Sequence, residues 1–245
     1  MTDTPVSDSA RIGHLGHTKL DLDRMRRLGM PEAVFASGKT VEQCIEIVSR
    51  LRSQTDDPII VTRATGEQKA ELLKLQPDSV FSNTLTWQHL QPLAVSPAVV
   101  VSGGTSDQFV LDEAVATLQA LGVPTRSVRD VGVAGLHRVL DSLEEFSDAS
   151  VVLVVAGMEG SLSTVLAGLI PNPIIAVPTS VGYGSSLEGV TALLSALASC
   201  APGMSVVGID NGYGAACAAV RMLHMTHPLS EVPADAQALP ISSPR

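Results

Sequence analysis

Val151-Val152-Leu153-Val154-Val155-Ala156 runs straight into Gly157-Met158-Glu159-Gly160. Six apolar residues without alternation are what a strand covered on both faces requires, and such strands belong to parallel sheets. The glycines end the strand, and Glu159–Leu169 then reads as a helix. Ile174–Val177 repeats the all-apolar strand. Working outward, strands fit Ala98–Ser102, Thr125–Val128 and Val206–Asp210, and helices fit Asp107–Leu121, Ala134–Phe146, Ser185–Ala198 and Asn211–Met225. Five strand–helix units predict an α/β fold, a doubly wound parallel sheet that is flavodoxin-like by strand count.

Four loops that follow apolar runs are rich in small residues. They are Ser102-Gly103-Gly104-Thr105-Ser106-Asp107, Ala156-Gly157-Met158-Glu159-Gly160, Pro178-Thr179-Ser180-Val181-Gly182-Tyr183-Gly184 and Asp210-Asn211-Gly212-Tyr213-Gly214. Glycine lets the backbone approach a phosphate, and the free N–H groups of a helix start point at it. Several such cradles on one sheet predict a site for a nucleotide-like molecule.

The first part of the chain has its own pattern. Asp21–Leu28 carries Leu22, Met25 and Leu28 at helical spacing. Strands fit Ala33–Ala36, Pro58–Thr62 and Ser79–Asn83. Thr40 with Gln43, and Thr65 with Gln68, are capping boxes that open two helices. Pro92 and Pro97 mark Gln91–Pro97 as a linker. The expected organisation is a flexible N-terminus (1–20), a small α/β domain (21–94), a larger domain (95–227) and a disordered tail (228–245) with four prolines.

Aromatic residues make up 3 % of the 245 and charged residues 17 %. A chain so short of charge is expected to cover part of its surface in a homo-oligomer. A net charge of −9 argues against nucleic-acid binding. No apolar run approaches membrane-spanning length, and Met1–Ala10 has no signal-peptide pattern, so a cytoplasmic protein is expected. Cys44, Cys200 and Cys217 are too widely spaced for a zinc site or disulfide framework. Nothing near His14 and His17 completes a metal site, and Lys39 lacks the spacing of a phosphate-binding P-loop.

Individual side chains leave alternatives open. Glu159 at a helix start is a dipole-favoured cap or a base. Asp107 is a helix cap, a ribose ligand or a metal ligand. Thr105 and Ser106 offer hydroxyl and backbone donors. Arg138 is a phosphate fork or a surface arginine, and the role of His137 stays open. Thr179, Ser180 and Tyr183 are candidates to line the ring or phosphate site. Cys44 and Cys217 read as core residues, and so does Cys200 on composition alone.

The wording of these loops, however, resembles the LarB family of nickel-pincer nucleotide biosynthesis proteins. Further matching stretches are Asp130-Val131-Gly132-Val133-Ala134-Gly135-Leu136-His137-Arg138, Ser199-Cys200-Ala201 and Ile209-Asp210-Asn211-Gly212. In the first half, Arg27-Leu28-Gly29-Met30-Pro31-Glu32 and Gly38-Lys39-Thr40-Val41-Glu42-Gln43 match as well. The second half is also similar to PurE, the aminoimidazole ribonucleotide carboxylase or mutase. The LarB resemblance implies carboxylation of nicotinic acid adenine dinucleotide at pyridinium C5 with CO₂, and hydrolysis of the phosphoanhydride to release AMP. The product lies on the route to the nickel-pincer cofactor of lactate racemase. No organic cofactor is implied, and magnesium is left open, with Asp130 and Glu159 as candidate ligands.

By this resemblance Cys200 is the nucleophile and Glu159 the base. Gly104, Thr105, Ser106, Asp107, Asp130, His137, Arg138, Met158, Thr179, Ser180, Gly182, Tyr183, Gly184 and Asn211 bind substrate. Two residues depart from the family pattern: Glu188 replaces a usual glycine and Ala198 a common asparagine. Cys200 follows the fourth helix and precedes the fifth strand, so it is expected at the opposite sheet edge from the loops. A site completed by a neighbouring copy, in an octamer, is the expected resolution. The alternatives are a PurE-like imidazole ribonucleotide carboxylase and a non-enzymatic nucleotide-binding regulator.

Overall fold

In the computed structural model, residues 12–226 are described. β1 (Ile12–Leu15) and β2 (Thr18–Asp21) form an antiparallel hairpin with Ile12 opposite Asp21. Residues 12–20, which the sequence reading placed in a flexible or loosely docked N-terminus, form most of this hairpin, and Leu20 is buried in a core with Leu72 and Trp87. The stretches 1–11 and 227–245, including the expected tail, lie outside the described residues.

α1 (Arg24–Leu28) is short and ends at Gly29, whose φ of 68° suits glycine. β3 (Ala33–Phe35), α2 (Val41–Gln54), β4 (Ile59–Thr62), α3 (Gly66–Leu72), β5 (Ser79–Phe81) and β6 (Thr84–Trp87) complete the first unit. Both capping boxes form as the sequence predicts. The sheet order is β3-β4-β6-β5, with β3 parallel to β4 and the other pairs antiparallel. β6 is a strand that sequence reading missed. Its Thr84 and Thr86 are buried along with Leu85 and Trp87, so it shows no apolar alternation.

The second unit runs β7 (Ala98–Ser102), α4 (Gln108–Ala120), β8 (Thr125–Val128), α5 (Leu136–Asp141), β9 (Val151–Ala156), α6 (Ser161–Ala167), β10 (Ile174–Pro178), α7 (Val190–Leu197), β11 (Ser205–Val206) and α8 (Gly212–Thr226). The strands lie in the order β11-β10-β9-β7-β8, all parallel. This is a doubly wound sheet of flavodoxin-like order, with its switch point between β7 and β9. Val99, Val101, Val152 and Val154 pack with Phe146, Leu162 and Leu166 on one face. Val100, Leu153, Val155 and Ile175 pack under α4 and α8 on the other. Helices on both faces explain the unbroken apolar runs.

Three elements differ from the expected spans. The fifth strand is two residues long, although Val207 and Asp210 still donate backbone bonds to Ala176 and Pro178 of β10, at 3.1 and 2.8 Å. The segment 134–146 breaks into α5 and a short 3-10 turn. Leu187 and Glu188 take left-handed φ values of 48° and 52°, so α7 begins only at Val190.

α4 joins the units. Its Asp112 accepts a hydrogen bond from the Ser82 hydroxyl, and its Glu113 pairs with Arg63 at 3.4 Å. Met30 and Phe81 of the first unit pack into the core of the second.

Candidate active site

At the switch point a cleft of about 260 Å³ opens between Gly103–Asp107 after β7, Gly132–Ala134 after β8, Gly157–Leu162 after β9, and Val181 after β10. This is the carboxyl edge of the sheet, where doubly wound folds bind ligands. The loops approach too closely for side chains. A Cβ on Gly157 would fall 2.2 Å from the Val181 carbonyl oxygen, and one on Gly132 would fall 2.6 Å from that of Gly103.

Asp107 ties these loops together. It is 4 % exposed. One carboxylate oxygen accepts the Gly104 N–H at 2.9 Å, and the other accepts the Thr179 hydroxyl at 2.6 Å. Burial pushes its carboxyl pKa up, against the lowering pull of Thr179, Gly104 and Gly157. Thr179 is fully buried, so it holds the loop rather than facing open space. Gly104 and Ser106 line the cleft, and Thr105 is exposed beside them.

Glu159 and Met158 line the rim and are exposed. Met158 has a left-handed φ of 54° and Gly160 one of 67°, which swings Glu159 out of the strand line. The Glu159 carboxylate accepts the Ser161 hydroxyl. After β8, the Arg138 guanidinium lies 3.1 Å from the Asp130 carboxylate and donates to the Asp130 carbonyl at 2.8 Å. His137 is exposed on α5. Ser180, Gly182, Tyr183 and Gly184 form the exposed outer part of the loop after β10, where the Ser180 N–H donates to Asp210 at 2.8 Å.

Two of the expected residues are elsewhere. Asn211 lines a second cleft between the units. Cys200 is exposed in the turn between α7 and β11, where the neighbouring Ser199 hydroxyl bonds Thr164 at 2.8 Å. That turn enters β11 at Ser205, opposite Ile175 near the start of β10. Cys200 therefore sits toward the amino edge of the sheet and is not among the residues that line the cleft, whereas Glu159 is.

Asp130 is engaged by Arg138 and Glu159 by Ser161. Among the described residues no three His, Cys, Asp or Glu side chains form a group that could hold a metal ion. Among the described residues no helix is long and apolar enough to cross a membrane.

Sequence reading missed Arg63, Glu113 and Phe35, which line the second cleft. The available signal was Asp112-Glu113, two acids inside an otherwise uncharged helix.

Residues 12–88 match the family model of the LarB/PurE-like N-terminal domain, and residues 98–236 match that of AIR carboxylase. The chain is also 34 % identical, over 208 residues, to an uncharacterized protein of Methanocaldococcus jannaschii, with 80 % of each chain covered.

Proposed function

The chain belongs to the LarB/PurE-like family of AIR carboxylases, a carboxylase-type enzyme, and on that premise we propose that it carboxylates nicotinic acid adenine dinucleotide at pyridinium C5 and cleaves the phosphoanhydride to release AMP. The observation that carries this reading is the placement of two groups at opposite sheet edges. Glu159 stands at the rim of the cleft. Cys200 is exposed at the far edge, just after a helix whose Leu194 and Leu197 are 58 % and 64 % exposed. A second copy docked on that apolar face carries its own Cys200 to the cleft of the first, in a homo-oligomer of eight copies.

A pyridinium ring is electron-poor, and its C5 does not attack CO₂. Addition of the Cys200 thiolate to a neighbouring ring carbon forms a C–S bond and leaves a neutral enamine. Its C5 then attacks CO₂, forming a C–C bond and an iminium. Glu159 removes the C5 proton, the electron pair returns to the ring, and the thiolate leaves as aromaticity is restored. The covalent step replaces one difficult reaction by easier ones, and a thiolate both adds and leaves well. Water then attacks the phosphoanhydride, and AMP departs. Arg138 uses one nitrogen of its fork, Nη1, on the Asp130 carbonyl and carboxylate and keeps the others for the phosphate.

The test is incubation with the dinucleotide and bicarbonate, followed by mass spectrometry for AMP and a doubly carboxylated mononucleotide. Cys200→Ser is expected to form neither product of ring carboxylation nor the transient adduct. Carboxylation by that variant at the normal rate would overturn the reading. It would favour instead an imidazole ribonucleotide carboxylase, to which the match of residues 98–236 also points and whose chemistry needs no thiol.

A further inference from the structure

We infer that the cleft between the two units is a second subsite, which takes the purine nucleoside monophosphate end of the substrate. The inference rests on the dinucleotide reading above and adds a place for the half that is not carboxylated.

The cleft measures about 410 Å³, larger than the one at the switch point. Arg24, Phe35 and Arg63 enter it from the first unit, and Glu113, Asn211 and Tyr213 from the second. Its frame is built in advance. Arg63 takes a left-handed φ of 57° and reaches across the junction. Its guanidinium sits 3.4 Å from the Glu113 carboxylate, donates to the Asp210 carbonyl and lies 5.4 Å from the centre of the Phe35 ring. Glu113 is 1 % exposed and also accepts the Tyr213 N–H at 3.1 Å. A buried charge needs such partners.

Three features match a nucleotide. Phe35 is 49 % exposed, a large apolar ring at the cleft wall on which a base can stack. Arg24 forms no ion pair among the described residues, so its fork is open to a phosphate. The acidic lining does not oppose this. Glu113 is neutralised by Arg63, and Glu32 already accepts the Asp21 N–H at 3.1 Å. Carboxylates with spare lone pairs suit ribose hydroxyls.

The position fits as well. Asp210 stands between the clefts. Its carbonyl accepts Arg63 on one side, and its carboxylate accepts the Ser180 N–H on the other, one residue before the Val181 that lines the first cleft. The two clefts therefore share a wall, as two ends of a dinucleotide require.

The test uses the full chain, calorimetric titration with AMP and separately with nicotinic acid mononucleotide, and melting curves to confirm folding. Arg24→Ala and Phe35→Ala are each expected to weaken AMP about tenfold and to spare the pyridine mononucleotide. Arg138→Ala, beside the first cleft, is expected to do the reverse. The inference is overturned by a wild type that does not bind AMP, by AMP affinity unchanged in both variants, or by loss of both ligands together. Failure of the dinucleotide to turn over sinks the reaction above and leaves these AMP titrations readable on their own.

Discussion

The two edges of the five-stranded sheet are built on different principles. At the carboxyl edge the loops after β7 and β10 are fixed from within the chain. Asp107 holds both, through Gly104 and Thr179, and Asp210 holds Ser180. At the amino edge Cys200 is exposed, and α7 leaves Leu194 and Leu197 largely uncovered among the described residues. One edge is finished by folding. The other is finished only when something else covers it. The lesson is that a reactive group and its cleft need not share a chain, and that the apolar residues beside the group show where the missing part attaches.

The strongest way to break this contrast is to mix two inactive variants. Cys200→Ser and Glu159→Gln are each expected to lose at least about 10³-fold in carboxylation rate. If each site takes Glu159 from one copy and Cys200 from another, dissociating and reassociating an equal mixture restores about one quarter of wild-type activity. No recovery would mean that both groups act within one chain, against the placement of Cys200 outside the cleft that Glu159 lines.

A smaller effect is expected from the apolar face itself. Burying a leucine contributes about 1.5–3 kcal/mol, so Leu194→Glu is expected to loosen the assembly by about tenfold to a hundredfold. Light scattering on a dilution series reads this directly. Activity should fall along with the assembled fraction, while melting of the isolated chain changes little. An unchanged size at every dilution would show that the exposed leucines face no partner.

The contrast was partly legible in the sequence. The runs at Val151–Ala156 and Ile174–Val177 announced a parallel sheet because both faces are covered, and the order of elements alone put Cys200 at the far edge. The hairpin at 12–21 escaped because it buries little besides Leu20. β6 escaped because its buried threonines imitate a polar strand. The break at Leu187-Glu188 escaped because neither residue advertises left-handed backbone as glycine does. The second cleft was legible only in fragments. Asn211 and the paired acids Asp112-Glu113 pointed toward it, but Arg24, Arg63, Glu113 and Tyr213 come from segments far apart in sequence, and only folding assembles them.

The smallest expected effect tests how fully the carboxyl edge is determined from within. Burial raises the Asp107 carboxyl pKa in the fold. Where the folded value exceeds the unfolded one, the native state holds its proton more tightly, so stability is greatest below the unfolded value, about 4, and falls as pH rises through the folded value. Asp107→Asn removes this term. Its carbonyl oxygen still accepts the Gly104 N–H, and its amide donates to the Thr179 oxygen, which turns from donor to acceptor. Wild type and variant should therefore melt alike near pH 4, with the variant ahead by about 2–4 °C at neutral pH. Asp107→Ala should melt lower than both at every pH, because it leaves the buried Thr179 hydroxyl and the Gly104 N–H unpaired. A wild type that gains on the asparagine variant as pH rises would mean that the anion is the favoured form. The loop clamp would then depend on charge rather than on shape and hydrogen bonding.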